Sequence, residues 1–226
     1  MGLWRVGFDV VGIDNRKQPR YPFSFIQADA LRSPVRLEDF DLIWASPPCQ
    51  RFTTAARAVR RGEHPDLIPQ TRAMLDGMAY VIENVPQAPI RPDIKLTGAM
   101  FGATTYRERW FECSFFVPHP PRGRRFGPMT RDDAVTVTGH PWKTKQEWRR
   151  HPRSDRLYRG RSGTKQEWAE ALGIDWMHHL ELAQAIPPAY SKHIGYYAMM
   201  ALSLDPDEMH RDSVATPAAP HEAAAE

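Results

Sequence analysis

The chain is 226 residues long, 42% hydrophobic and 25% charged, with a mean hydropathy of −0.55. That length suits one domain with a small appendage and can bury a real core. No apolar run approaches the roughly 18–20 residues of a transmembrane helix, and the start lacks the basic, apolar, small-residue order of an export signal. Two cysteines make neither a disulfide scaffold nor a zinc site, so a reducing, cytoplasmic setting with free thiols is expected. The net charge of +3 conceals a division. Residues 1–104 carry 13 basic and 11 acidic side chains, residues 105–165 carry 15 and 6, and residues 166–226 carry 2 and 10. The middle block, at +9, suits a polyanionic partner, although charge alone serves a solvated basic surface equally well.

In chain order, Phe8 to Asp14 is a short β-rich run ending in an acid, and Phe23 to Gln27 is a second, followed by Ala28-Asp29-Ala30. Asp41 to Ala45 is a third, stopped by Ser46-Pro47-Pro48. From Pro65 to Met78 the spacing of Leu67, Ile68, Thr71, Met74 and Leu75 predicts a helix. Tyr80-Val81-Ile82 is a fourth strand, ending at Glu83-Asn84-Val85-Pro86, and Arg109 to Phe116 a fifth. Strands alternating with helices predict an α/β fold with a largely parallel, doubly wound sheet. Ligands then bind beyond the carboxyl ends of the strands, where Asp14, Asp29, Cys49 and Glu83 fall. From Val117 to Gly163 the apolar period fades and Pro, Gly, Arg and Trp dominate, as in a loop-rich insert. Thr-Lys-Gln-Glu-Trp occurs at 144–148 and again at 164–168; the second copy reads as a helix start with Thr164 as N-cap and Glu167 completing a capping box. Helices are expected at 164–172 and 188–203, with Met199-Met200 in the helix core, and a disordered tail from Asp205. His178-His179 lacks further ligands at metal spacing and reads as surface or packing, and Cys113 as a core thiol.

Cys49 sits on a turn stiffened by two prolines, with Arg51 close in sequence. It reads either as a reactive thiolate or as a small buried hydrophobe. A carboxyl at a strand end, as at Glu83, can act as an acid or sit in an ordinary ion pair. Neighbouring strand ends would bring both into one pocket.

Together, Ser46-Pro47-Pro48-Cys49-Gln50 and Tyr80-Val81-Ile82-Glu83-Asn84-Val85-Pro86 resemble the DNA cytosine-5 methyltransferases, whose signatures are a Pro-Cys-Gln turn followed by a Glu-Asn-Val turn. Gly7 to Asp14 resembles the family's second strand, Ala28-Asp29-Ala30 the next turn, and Arg107-Glu108-Arg109 its arginine strand, with Thr105 where the family has Gln. Ala183-Gln184-Ala185-Ile186-Pro187-Pro188 resembles its last motif, with Gln184 in place of Asn. The resemblance spans about residues 2 to 202 and is nearest to compact phage or prophage members. It implies a Rossmann-like methyltransferase sheet with a catalytic core at 1–116, a basic target-recognition-like insert at 117–163, C-terminal helices completing the core at 164–204 and a tail at 205–226. Family members open with a strand and a Phe-x-Gly-x-Gly-Gly turn. Here Met1-Gly2-Leu3-Trp4 resembles the helix after that turn, so the sheet is expected to lack its first strand.

The resemblance further implies methyl transfer from S-adenosylmethionine to C5 of a flipped cytosine through a covalent Cys49 adduct. Glu83 would hold the N3 edge, and Arg109, supported by Arg107, the oxygen at C2. Asp14, Asn15, Asp29, Ala30, Pro48 and Gln184 would line the cofactor pocket, with no metal. Gln50 and Arg51 would meet DNA, as would the basic block: Arg122, Arg124, Arg125, Lys143, Arg149, Arg150, Arg153, Arg156, Arg159 and Arg161. Trp142, Trp148 and Tyr158 stack there or simply pack. Double-stranded DNA is the expected partner of a monomer in a bacterial or phage-infected cell, with a cognate restriction endonuclease as a candidate associate. The alternatives are an inactive, truncated DNA-binding remnant and an RNA cytosine-5 methyltransferase. Amino-methylating enzymes are disfavoured because Cys49 occupies the position where their Pro-Pro turn carries an aromatic residue.

Overall fold

A computed structural model describes residues 1–53, 64–121, 135–137 and 161–202, with residues 161–162 as backbone only. Val11–Asp14 (β1) and Ser24–Gln27 (β2) pair in parallel, with Asp14 opposite Gln27. Phe8 to Val10 precede the strand, and Phe8 is core, packed near Ala198 and Met199. A second sheet has the order β3-β4-β6-β5, from Ile43–Ala45 (β3), Tyr80–Asn84 (β4), Ile94–Leu96 (β5) and Arg109–Cys113 (β6).

The fold is mixed α/β, but the largely parallel sheet predicted from the alternation of elements is not what forms. β3 and β4 are parallel, whereas β6 runs antiparallel to both β4 and β5. The reason lies in the connections. Parallel neighbours need a long crossover, and the helix Ile68–Met74 (α1) supplies one between β3 and β4. The link from β5 to β6 holds only a 3-10 turn at Gly98–Phe101, so the chain folds back on itself. Among the described residues no strand joins β1 to β3. The two sheets meet instead through side chains: Val10 and Leu42 pack on the same cluster as Ala198 and Met199.

Period-two alternation sorts the faces of the larger sheet. Val81, Phe111 and Cys113 face the long helix Pro188–Leu202 (α4), where Tyr190 and Ile194 are fully buried. Ile82 faces α1 with Ile68 and Leu75. Gly2 lies where a Cβ would collide with the Ser191 hydroxyl and the Pro188 carbonyl, so the first turn of α4 sits on the start of the chain. Met199 is core, but Met200 is 62% exposed, against the expectation for the pair. Adjacent helical residues point about 100° apart, so one face cannot take both.

Val135–Thr136 (β7) and Arg161–Ser162 (β8) form a parallel pair. Val135 packs with Trp168, Ala171 and Leu172 of Lys165–Leu172 (α2). α2 starts where predicted: the Thr164 hydroxyl accepts from the Glu167 amide, and Glu167 accepts from the Thr164 amide. A one-turn helix, His179–Leu182 (α3), follows, with the His178 and His179 rings 4.0 Å apart. Trp142, Trp148, Tyr158 and the tail lie outside the described residues. Among the described residues no helix is long and apolar enough to cross a membrane.

One buried acid fixes the back of the sheet. Glu112 on β6, with its side chain 1% exposed, accepts two hydrogen bonds from Arg72 of α1, both 2.8 Å, and others from the Tyr80 hydroxyl and the Arg91 amide. The Arg72 guanidinium holds the Glu112 carboxyl down at about 2. A depressed acid stabilises the fold at every pH above its unfolded value and loses that contribution as pH falls through its folded value. Arg72 is 41% exposed, so solvent screening trims the contribution to about 2 kcal/mol. Glu112→Gln is expected to lose that stability in urea at pH 7 and to flatten the acid limb of the stability curve between about pH 4.5 and 2. A variant with the wild-type acid limb would show that the network carries none of it.

Candidate active site

The turn carrying Cys49 and the end of β4 are tied together by backbone register and by one side chain. Ile43, Trp44 and Ala45 lie opposite Tyr80, Val81 and Ile82, so the next step brings Ser46 beside Glu83. Asn84 then reaches across: its Nδ2 donates to the Pro47 carbonyl at 3.0 Å, while its Oδ1 accepts from the Val85 amide at 2.9 Å. The prolines have no N–H to compete, and Asn84 is fully buried. The Cys49 carbonyl accepts from the amides of Phe52 and Thr53 at 2.9 and 3.0 Å, which closes the turn. Cys49 is half-buried, and Pro48, Gln50 and Arg51 on its rim are exposed.

Glu83 lies within β4, since the ladder runs on to Asn84, two residues beyond the strand expected from sequence. Its side chain is 9% exposed and ion-pairs with Arg109, Nε to Oε1 at 3.0 Å. The register explains the pair. Glu83 is opposite Phe111, so Arg109, two residues before Phe111, is its diagonal neighbour on the same face. Burial pushes the Glu83 carboxyl up; Arg109, the Ser46 hydroxyl and Arg107 pull it back only in part. Burial also pushes the Cys49 thiol up, opposed by the charges of Arg109 and Arg107 and reinforced by Glu83. The adjacent strand ends thus carry a half-buried thiol, a buried carboxyl that burial pushes up, and the guanidinium paired with it. By contrast, Cys113 is 3% exposed in the core and pushed by burial to about 12, which leaves it inert at neutral pH.

Arg107, expected to support Arg109, is held by backbone groups. Its φ of 33° is left-handed, and its guanidinium spends its donors on three backbone carbonyls. Nε donates to Ala185 at 2.8 Å, Nη2 to Ala183 at 2.8 Å and Nη1 to Val137 at 2.6 Å. Its own carbonyl accepts from the Tyr190 hydroxyl at 3.0 Å. Asn84, Ser46 and Tyr190, which orient the site, were missed by sequence reasoning; the Asn of Glu83-Asn84 at a strand end was the one available signal.

Four of the six residues predicted to hold a cofactor, Asp14, Asn15, Asp29 and Ala30, fall at the carboxyl ends of β1 and β2. Asp14 ends β1, and its carboxylate accepts from the Arg16 amide at 2.7 Å and Gln18 Nε2 at 3.1 Å. Asn15 is exposed, and its carbonyl accepts from Gln27 Nε2. Asp29 caps the 3-10 turn Ala30–Arg32 through the Leu31 amide, and both Asp29 and Ala30 are exposed. Gln184 is exposed between α3 and α4. Arg20, in the β1–β2 loop, ion-pairs with Glu181 of α3 at 2.8 Å, which draws these two regions together. Carboxylates accept about four hydrogen bonds each, so Asp14 and Asp29 keep capacity for the hydroxyl and amine donors of a nucleoside. Among the described residues no cluster of three or more His, Cys, Asp or Glu suits a metal ion.

Of the expected DNA contacts, Gln50 and Arg51 sit on the rim of the pocket, with Arg51 Nη1 donating to the His64 carbonyl. Arg161 lies on β8. Arg122, Arg124, Arg125, Lys143, Arg149, Arg150, Arg153, Arg156 and Arg159 lie outside the described residues. No protein-family model matches the chain, and no match was found among curated proteins.

Proposed function

We propose that the protein is an S-adenosylmethionine-dependent DNA (cytosine-5)-methyltransferase on a Rossmann-like sheet. The observation that carries this reading is the adjacency of the turn bearing Cys49 to the strand end bearing Glu83, which is paired with Arg109 at 3.0 Å. Cytosine is a poor carbon nucleophile at C5, and thiolate addition at C6 makes C5 electron-rich. Cys49 forms that bond. Glu83, whose carboxyl burial pushes up, donates to N3 in its protonated form as the ring gains charge. Arg109 stabilises the developing negative charge at O2. The C5 proton then departs with assistance from a base, and the sulfur leaves to restore Cys49. S-adenosylmethionine, when bound, supplies an electrophilic methyl group, and Asp14 and Asp29 would hold its ribose and adenine. A half-buried thiol cannot reach a stacked base, so the target cytosine is flipped out.

The test is transfer of a labelled methyl group from S-adenosylmethionine to duplex DNA, with RNA of equal length as competitor. Transfer to DNA is expected. Preference for RNA selects the RNA-directed reading, and tight DNA binding without cofactor binding selects the non-enzymatic one.

The basic block at 105–165 carries a separate prediction. Roughly five phosphates neutralised give a slope of log affinity against log salt near −4.5, or roughly a 500-fold loss between about 50 and 200 mM salt. Fluorescence anisotropy with a labelled duplex measures it. A slope shallower than about −1 would remove the basic block from the interface.

A further inference from the structure

Arg20 and Glu181 stand 161 positions apart in the chain and meet through a two-bonded fork. Arg20 Nε donates to Glu181 Oε2 at 2.8 Å, and Nη2 donates to Oε1 at 2.9 Å. Among the described residues no other ion pair joins the β1–β2 loop to the region around α3. Each of the two segments is organised on its own. On one side, the Asp14 carboxylate accepts from the Arg16 amide and Gln18 Nε2, and the Gln18 carbonyl accepts from the Tyr21 amide at 3.0 Å. The Tyr21 ring lies on Gly12 of β1, where a Cβ would collide with it. Arg20 is thereby presented from a loop built on the Asp14 carboxylate. On the other side, Glu181 Oε2 also accepts from the His178 amide at 2.6 Å. The Glu181 backbone carbonyl accepts from the amides of Gln184 and Ala185 at 2.9 and 2.8 Å. The fork thus ties the loop that Asp14 holds to the turn that carries Gln184.

We propose that the Arg20–Glu181 fork is the clasp of the cofactor site: it holds Asp14 and Gln184 on facing sides of one nucleoside-binding cleft. Arg20 and Glu181 are then positioning residues, and Asp14 and Gln184 are the groups that meet the ligand. The chemistry of the two suits a nucleoside. The Asp14 carboxylate accepts from hydroxyls, and the exposed Gln184 amide both donates and accepts. The pair itself is partly exposed, with side chains at 47% and 24%, so it adds little to global stability. What two parallel bonds add is geometry, because a fork fixes direction as well as distance. A protein whose clasp is open part of the time binds its ligand more weakly in proportion to the fraction closed. The inference rests on the reading of Asp14 and Gln184 as cofactor residues.

The test is calorimetric titration of the full chain with S-adenosylmethionine, for wild type, Arg20→Met, Glu181→Gln and the double variant. Glutamine keeps an oxygen for the His178 amide, so α3 retains its cap. Each single substitution is expected to weaken binding by about three- to tenfold, and the double variant no further, since both remove the same two bonds. Unchanged affinity in the folded single variants, or losses that multiply in the double, would overturn the proposal. Amide hydrogen exchange on the wild type covers the case in which a variant does not fold. The cofactor should slow exchange at Tyr21, Gln184 and Ala185 together, and protection confined to one of the two segments would overturn the clasp. A wild type that binds no S-adenosylmethionine overturns the cofactor reading and the clasp with it. A wild type that binds, with an affinity indifferent to both substitutions, overturns the clasp alone.

Discussion

Cys49→Ser is expected to reduce methyl transfer to duplex DNA by roughly 10⁴-fold or more while leaving fold and DNA affinity unchanged. Serine keeps the size of the side chain, and Cys49 makes no side-chain packing contribution to the described core clusters. What it loses is an ionisable sulfur. Burial already raises the Cys49 thiol above its ordinary range, and an alkoxide at the same place would be rarer still by many orders of magnitude. The wild-type rate requires Cys49 as thiolate and Glu83 protonated at once, so it should rise and then fall with pH. The profile is therefore a bell belonging to the pair. Retention of transfer in Cys49→Ser would remove Cys49 from the chemistry.

The second large effect concerns the ion pair behind it. Arg109→Met should destabilise the fold by about 3–5 kcal/mol at pH 8, because it strands Glu83 as a buried charge. The loss depends on pH with a definite sign. Without Arg109 the folded carboxyl titrates still further above its unfolded value. A raised acid keeps its stability at low pH and loses it as pH rises through the folded value. Arg109→Met should thus look much closer to wild type in urea at pH 5 than at pH 8. Adding Glu83→Gln should recover most of the loss at pH 8, since no charge is then buried. A pH-independent loss, or a double variant no better than the single, would mean that Arg109 matters for packing rather than for pairing.

Several strands and the two motif turns were legible in the sequence because they rest on local chemistry. A β-rich run that ends in an acid marks β1, and Pro47-Pro48 stops β3 wherever it lies. The capping box at Thr164 and Glu167 is likewise complete within four residues. Strand direction was not legible, since periodicity is identical for parallel and antiparallel neighbours, and β6 turned out antiparallel on both sides. β5 escaped notice because Ile94–Leu96 is three residues long in a proline-containing stretch. Within the site, the pairing of Glu83 with Arg109 follows from the register of β4 against β6, which no local pattern encodes. The carbonyls that hold Arg107 lie 30, 76 and 78 positions away in the chain, so no local pattern encodes those bonds.

The central claim is tested most directly by mass spectrometry of the protein after incubation with S-adenosylmethionine and duplex DNA carrying 5-fluorocytosine at the methylated position. Fluorine at C5 cannot leave as a proton does, so the sulfur cannot be expelled after methyl transfer. The account predicts a covalent protein–DNA species whose adduct maps to Cys49, absent from Cys49→Ser. Methylation of ordinary cytosine without any such species, or an adduct on another residue, would contradict it.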